Sequence, residues 1–162
     1  NLIAIHPGSG STKKNWPLKN FIELSEQLLK DLNCNIFFLT GPAEEKSGSL
    51  SNIPIIDGLI KVKDLSLQQI ASILEMCDLY IGNDSGITHL SAAVGTPTIA
   101  IFGPTNARIW GPVGNNIKII SLNISCSPCG KEKMLGCEQR RCFELISLND
   151  LFKACKSFLN SL

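Results

Sequence analysis

Short apolar runs recur along the chain, separated by stretches of helical spacing and by turn residues. Leu2–Ile5, Asn35–Thr40, Ile53–Asp57, Leu79–Ile81, Thr98–Phe102 and Ile117–Leu122 read as strands. These are continuous apolar runs rather than alternating ones, the pattern of strands covered on both faces. Between them, Phe21, Leu24, Leu28 and Leu29 predict a helix from Trp16-Pro17 to about Leu32, with Pro17 near its first turn. Leu67, Ile70, Ile73, Leu74 and Cys77 predict another over Leu65–Met76, with Ser66 as its N-cap. A short helix is expected at Ala43–Ser49 and a closing one at about 147–159. Pro54 suits an edge position for the third strand. Strands alternating with helices predict an α/β fold, a doubly wound and mostly parallel sheet in one domain, 1–162.

The stretch from Tyr80 to Gly95 organises this pattern. Leu79-Tyr80-Ile81 is a buried strand; Asn83, Asp84, Ser85 and Gly86 supply turn and cap chemistry. Thr88 to Val94 is small and apolar, and Gly95 with Pro97 stops the helix. Such a strand–turn–helix presents backbone N–H groups and a helix dipole together with Asp84, Ser85, Thr88 and His89, a ready site for a phosphate and neighbouring hydroxyls. An ordinary capped βα turn has the same residues. In doubly wound sheets ligands sit beyond the C-terminal strand ends where strand order reverses. Four loops are expected to converge there: His6–Asn15, Gly41–Glu45, Asn83–His89 and Gly103–Arg108.

The first of these loops, His6-Pro7-Gly8-Ser9-Gly10-Ser11-Thr12-Lys13-Lys14-Asn15, has the wrong spacing for a Walker A motif and is not a dinucleotide fingerprint. A loop of small residues can still wrap an anion, with Lys14 adding a point charge; a solvated Ser/Gly/Lys loop is the alternative. His6, before Pro7, reads as structural. Glu44 and Glu45 either favour a helix N-terminus by charge or accept hydrogen bonds from a ribose or base.

Composition narrows the classes. With 162 residues, 44% hydrophobic and 18% charged, the chain can bury a sizeable core. A formal net charge of +1 gives no electrostatic case for nucleic acid or an anionic membrane as the main partner. No apolar run approaches the ~20 residues of a membrane span. The chain opens directly on a strand with neither Met nor a signal-peptide pattern, as a fragment cut at a domain boundary would.

Seven cysteines are present. Cys34, Cys77 and Cys155 fall within or beside predicted elements, as buried inert thiols do. Cys126, Cys129, Cys137 and Cys142 form a Cys-rich loop, 126–142, whose first spacing is that of a metal knuckle. Four thiolates suit a structural zinc or iron; free thiols and two disulfides are the other readings. Lys131, Lys133, Arg140 and Arg141 beside them read as a solvated charged loop, with an anionic acceptor or membrane surface as the alternative.

The run from Asn83-Asp84-Ser85-Gly86-Ile87-Thr88-His89 through Gly95-Thr96-Pro97 to Phe102-Gly103-Pro104-Thr105 resembles the hallmark of glycosyltransferase family 9, the lipopolysaccharide heptosyltransferases that use ADP-heptose. His6-Pro7-Gly8-Ser9-Gly10, Lys14-Asn15-Trp16-Pro17 and Thr40-Gly41-Pro42-Ala43-Glu44 fall in the order that family shows. The resemblance covers nearly the whole chain and implies the C-terminal, donor-binding half of a GT-B fold, Rossmann-like, from an inverting transferase of lipopolysaccharide core biosynthesis. The acceptor-binding half, with the acidic base, would lie outside this sequence, and the domain alone would be inactive. By the same resemblance Ser9 and Ser11 partner the donor phosphates, and Lys14 is the catalytic cation that neutralises the departing diphosphate. Glu44 would contact ribose or adenosine, and Asp84, Ser85, Gly86 and His89 would hold diphosphate and sugar. Asp84 is expected to cap the helix or accept from sugar hydroxyls rather than touch phosphate. No cofactor is needed for that chemistry. A lipid-linked saccharide acceptor, no nucleic acid, and a cytoplasmic location, at the inner membrane's cytoplasmic face or in peripheral contact with it, are implied. Rival readings are a nucleotide-sugar epimerase and a non-catalytic nucleotide-binding or metal-stabilised interaction module.

Overall fold

The structure is a computed structural model that describes residues 1–41 and 53–160. Six parallel strands form one sheet in the order β3-β2-β1-β4-β5-β6. They are β1 (Leu2–His6), β2 (Asn35–Leu39), β3 (Leu59–Val62), β4 (Leu79–Asn83), β5 (Thr98–Phe102) and β6 (Ile117–Ser121). The order runs outward from β1 in one direction and from β4 in the other, so the sheet is doubly wound, as the apolar runs predict. The switch lies between β1 and β4, with His6 in register with Gly82 at their C-terminal ends.

Helices cover both faces. On one side α1 (Leu18–Asp31) and α7 (Leu148–Leu159) bury Phe21, Leu24, Leu28, Leu151 and Phe152 against Ile3, Ile5, Leu79, Ile81, Ile99 and Ile101. On the other, α2 (Leu67–Glu75) and α3 (Gly86–Ala93) pack Leu74, Ile70, Ile87 and Leu90 over Ala4, Leu39 and Tyr80. Alternate residues of β1 and β4 thus serve two cores, which is why their sequences are apolar throughout. Ser66 caps α2 as expected and completes a capping box with Gln69, and Ser147 is the N-cap of α7. The short α4 (Ala107–Trp110) follows β5, capped by Asn106. Among the described residues no helix is long and apolar enough to cross a membrane.

Two expectations change. The third strand is not Ile53–Asp57, which carries no strand pairing, but Leu59–Val62. Pro54 lacks the N–H that a ladder needs, whereas Gly58 turns with φ 81° and hands its carbonyl to Ile36 N–H. The Cys-rich loop is partly helical, with α5 (Lys131–Leu135) and α6 (Arg141–Glu144), and α6 buries Cys142 and Phe143 in the first core. The helix expected at Ala43–Ser49 lies outside the described residues.

Candidate functional site at the sheet switch point

The two strands flanking the switch point end in loops that are fastened to each other. Asn83, the last residue of β4, is fully buried. Its Oδ1 accepts from Trp16 N–H at 2.9 Å and its Nδ2 donates to Pro7 O at 2.7 Å. One carboxamide therefore closes both ends of the β1–α1 loop onto β4. Two backbone groups that would otherwise be buried without partners are satisfied. Read as turn chemistry in the sequence, Asn83 is instead the anchor of the β1–α1 loop.

Within that loop Thr12–Lys14 form a single 3-10 turn capped by Ser11, whose hydroxyl accepts from Lys13 N–H. Ser9 Oγ sits 2.9 Å from Ser11 O and 2.6 Å from Asn15 Oδ1, holding the loop's own shape. The turn directs Lys14 across the switch point. Its Nζ lies 3.1 Å from Asp84 Oδ2 and donates to Asp84 O at 3.2 Å. Asp84 is mostly buried, so salt screens this pair less than it would a surface one. Asp84 does not cap the helix, as one reading of the turn had it. Ser85 caps α3, accepting from Thr88 N–H.

Under the start of α3 runs a buried chain of hydroxyls. Tyr80 Oη lies 3.0 Å from Thr88 Oγ1, Thr88 Oγ1 lies 3.1 Å from Ser85 Oγ, and Ser85 Oγ lies 3.4 Å from His6 Nδ1. Thr88 also donates to Asn83 O. Burial pushes the Tyr80 phenol's pKa well up, so Tyr80 stays a neutral hydroxyl. The chain fixes the Ser85 and His6 side chains from below and ties His6 to the site rather than to the core alone.

Above these residues opens a cavity of about 1070 Å³. His6, Ser9, Ser85, Gly86 and His89 form its polar floor and side. A Cβ at Gly86 would meet nothing within 4 Å, so protein packing does not demand glycine there, and the first turn of α3 stands open to an approaching group. Ser11 and Lys14 on the β1–α1 loop and Asp84 on the β4–α3 turn do not line the cavity. The opposite wall is apolar: Leu39 at the end of β2, Leu65 from the β3–α2 turn, and Leu67 and Ile70 from α2, with Asp64 at the turn's left-handed bend. Reading the sequence missed this wall, because it misplaced β3; the Ser66–Gln69 capping box was the available signal. The Gly103–Arg108 loop does not join the site and lines a separate cavity of about 420 Å³. Glu44 lies outside the described residues.

The cysteines divide as their positions suggest. Burial raises the pKa of Cys77 and Cys155 to about 12, keeping both as protonated packing groups. Cys34 is half-buried and its pKa is also raised by burial. Cys126, Cys129, Cys137 and Cys142 gather near one another. After burial, the charges of the neighbouring cysteines are what raise Cys129 and Cys142. All four are free thiols. Yet among the described residues no three His, Cys, Asp or Glu side chains converge as a metal-holding set. Cys129 Sγ turns instead toward Cys126 O at 2.8 Å. The spacing brings the thiols together without forming a tetrahedral centre.

The model of the family described as glycosyltransferase family 9 (heptosyltransferase) matches residues 1–137. Lipooligosaccharide heptosyltransferase 2 of Campylobacter jejuni is 28% identical over 99% of this chain and 51% of its own length. The chain spans about half the length of the curated relatives it matches. Among solved structures, the ADP-heptose lipopolysaccharide heptosyltransferase II of E. coli superposes with a TM-score of 0.78 at 19% identity, covering 99% of this chain and 46% of that one. TibC of enterotoxigenic E. coli, described as an iron-containing dodecameric glycosyltransferase, gives 0.79 at 19% identity over 99% and 45%. At these identities the likeness is one of fold.

Proposed function

The chain belongs to glycosyltransferase family 9, and on that premise we propose that it is the nucleotide-sugar donor domain of an inverting heptosyltransferase using ADP-heptose in lipopolysaccharide core synthesis. The observation that carries the reading is the placement of Lys14. Its ammonium crosses the switch point to Asp84, beside the open first turn of α3 and the cavity. Transfer breaks the bond between the anomeric carbon and the phosphate oxygen, and the departing ADP gains negative charge. Lys14 and the preorganised loop amides offset that charge without a metal. Asp84 holds Lys14 in place and keeps the pair neutral until a diphosphate shares the ammonium. Ser85 and His89 face the diphosphate and sugar, Ser9 and Ser11 shape the loop around the phosphates, and Leu39, Leu65 and Ile70 offer an apolar slot for the adenine ring. By its place in the sequence Glu44 is assigned to the ribose or adenosine.

The lipid-linked saccharide acceptor and the base that activates it belong, in this reading, to a second domain, and the enzyme works at the cytoplasmic face of the inner membrane. A structural zinc or iron on Cys126, Cys129, Cys137 and Cys142 is supported by their spacing and proximity and by the iron described for TibC. It requires the thiols to close further than they stand here. Metal analysis of the purified protein tests it: about one equivalent of zinc or iron, lost on Cys129→Ser, is expected.

Calorimetric titration of the full-length protein with ADP, UDP and ADP-heptose tests the donor assignment. Binding of ADP and ADP-heptose with UDP much weaker is the expected result. A preference for UDP overturns the heptose assignment, and ADP binding that gains nothing from the sugar favours a nucleotide-binding module.

A further inference from the structure

The Cys-rich segment does more than cover the core; it grips the phosphate loop. Arg140 Nη1 donates to Thr12 O at 3.3 Å and to Asn15 O at 3.2 Å, the two carbonyls that bracket the 3-10 turn carrying Lys14. In the other direction Lys13 Nζ donates to Cys137 O at 2.7 Å. The same segment is fixed to the end of β5, where Cys129 N–H donates to Pro104 O at 2.7 Å and Ser127 Oγ to Gly103 O at 2.6 Å. Arg140 itself has a left-handed backbone, φ 42° and ψ 42°. That region of backbone space is disfavoured for a residue that carries a Cβ. It occurs at the residue whose side chain crosses to the loop, 125 positions away from Asn15. The adjoining α6 is held rigidly, with Phe143 fully buried.

We propose that the 126–144 segment is a clasp on the phosphate loop and that Arg140 is its positioning residue. Resting on the donor reading above, the proposal gives Arg140 no contact with donor. It sets the turn from Thr12 to Asn15 so that Lys14 meets Asp84 and, in the complex, the diphosphate. The clasp therefore governs affinity for the diphosphate end of the donor and leaves the nucleoside end untouched. General loosening of the fold would affect both ends alike.

The test titrates the full-length protein and its Arg140→Ala, Arg140→Lys and Lys14→Ala variants with ADP and with adenosine. Arg140→Ala is expected to weaken ADP binding about tenfold, the loss of roughly one hydrogen bond to a charged group, with adenosine affinity unchanged. Arg140→Lys, whose point charge can serve one carbonyl where the guanidinium serves two, should fall between wild type and Arg140→Ala. It decides the matter alone if the alanine variant does not fold. Wild-type ADP affinity in the folded Arg140 variant, or equal loss for ADP and adenosine, overturns the clasp. If Lys14→Ala weakens ADP while the Arg140 variants do not, the clasp fails and the donor reading stands. If Lys14→Ala leaves ADP binding unchanged, the phosphate-loop reading fails and the clasp with it.

Discussion

Lys14 Nζ and Asp84 Oδ2 stand 3.1 Å apart although seventy residues separate them. The pair joins the loop after β1 to the turn after β4, across the point where the sheet changes direction. A buried or half-buried pair of this kind adds little net stability over an apolar alternative, but losing one member leaves the other charge uncompensated. Its value here is positional.

Replacing either member should therefore change ADP binding. Lys14→Ala is expected to lower ADP affinity by about 1.5–3 kcal/mol, the range for hydrogen bonds to charged groups. Asp84→Asn should cost less, because it loosens Lys14 without removing it. Calorimetric titration with ADP checks both; an Asp84→Asn loss larger than that of Lys14→Ala would show that the carboxylate has a role apart from Lys14.

The Asn83 carboxamide predicts a stability effect. Asn83→Ala leaves Trp16 N–H and Pro7 O without their partners in a fully buried place. At about 1–3 kcal/mol for each orphaned group, the loss should be about 2–6 kcal/mol in urea unfolding. A loss under about 1 kcal/mol would mean that the loop re-forms these bonds elsewhere.

Gly103 and Phe143 predict a coupled pair. A Cβ on Gly103 would lie 2.3 Å from Phe143 Cζ, far inside contact distance, and the ring is fully buried. Gly103→Ala should cost about 1–3 kcal/mol as an overpacking change. Phe143→Leu in the same chain should recover part of it, so the double variant is more stable than the sum of the singles predicts. Simple additivity would argue against the close approach of β5 to α6.

The buried thiols predict an alkaline limit. The Cys155 thiol is pushed up to about 12 by burial, from 9.0 in the open chain. Below pH 9.0 both folded and unfolded states keep this proton, and the group gives stability no pH dependence. Between 9.0 and about 12 the unfolded state releases it first, so stability falls as pH rises. The slope per thiol is at most about 1.4 kcal/mol per pH unit. Cys77 acts in the same direction and over the same interval. Urea unfolding under reducing conditions at pH 8 and pH 10.5 should show the decline, and Cys155→Ala should make it shallower. An equal slope in the variant would place the titrating group elsewhere.

Most of the fold is legible because its signals are local. The apolar runs at Leu2–Ile5 and Thr98–Phe102, the spacing of Phe21, Leu24 and Leu28, and the caps Ser66 and Ser147 each act within a few residues, and the structure forms those elements there. The third strand was not legible. Ile53-Pro54-Ile55-Ile56 is the more apolar stretch, but an edge strand with half its residues exposed needs N–H groups to pair with β2 more than it needs apolar side chains. That displacement also hid the β3–α2 wall of the cavity.

By itself the sequence determined the class of sheet, the small-residue turn at Asn83–Gly86 and the family resemblance, since periodicity, cap chemistry and motif spacing are properties of neighbouring residues. Only the tertiary structure decided that Asp84 pairs with Lys14, that Asn83 holds both ends of the β1–α1 loop, and that Arg140 reaches Thr12 and Asn15. Each of those contacts joins residues 67 to 128 positions apart, brought together when parallel strands pair across intervening helices. No local pattern encodes which loop end meets which, because strand order is set by how the two hydrophobic faces are covered, not by the residues of any one turn.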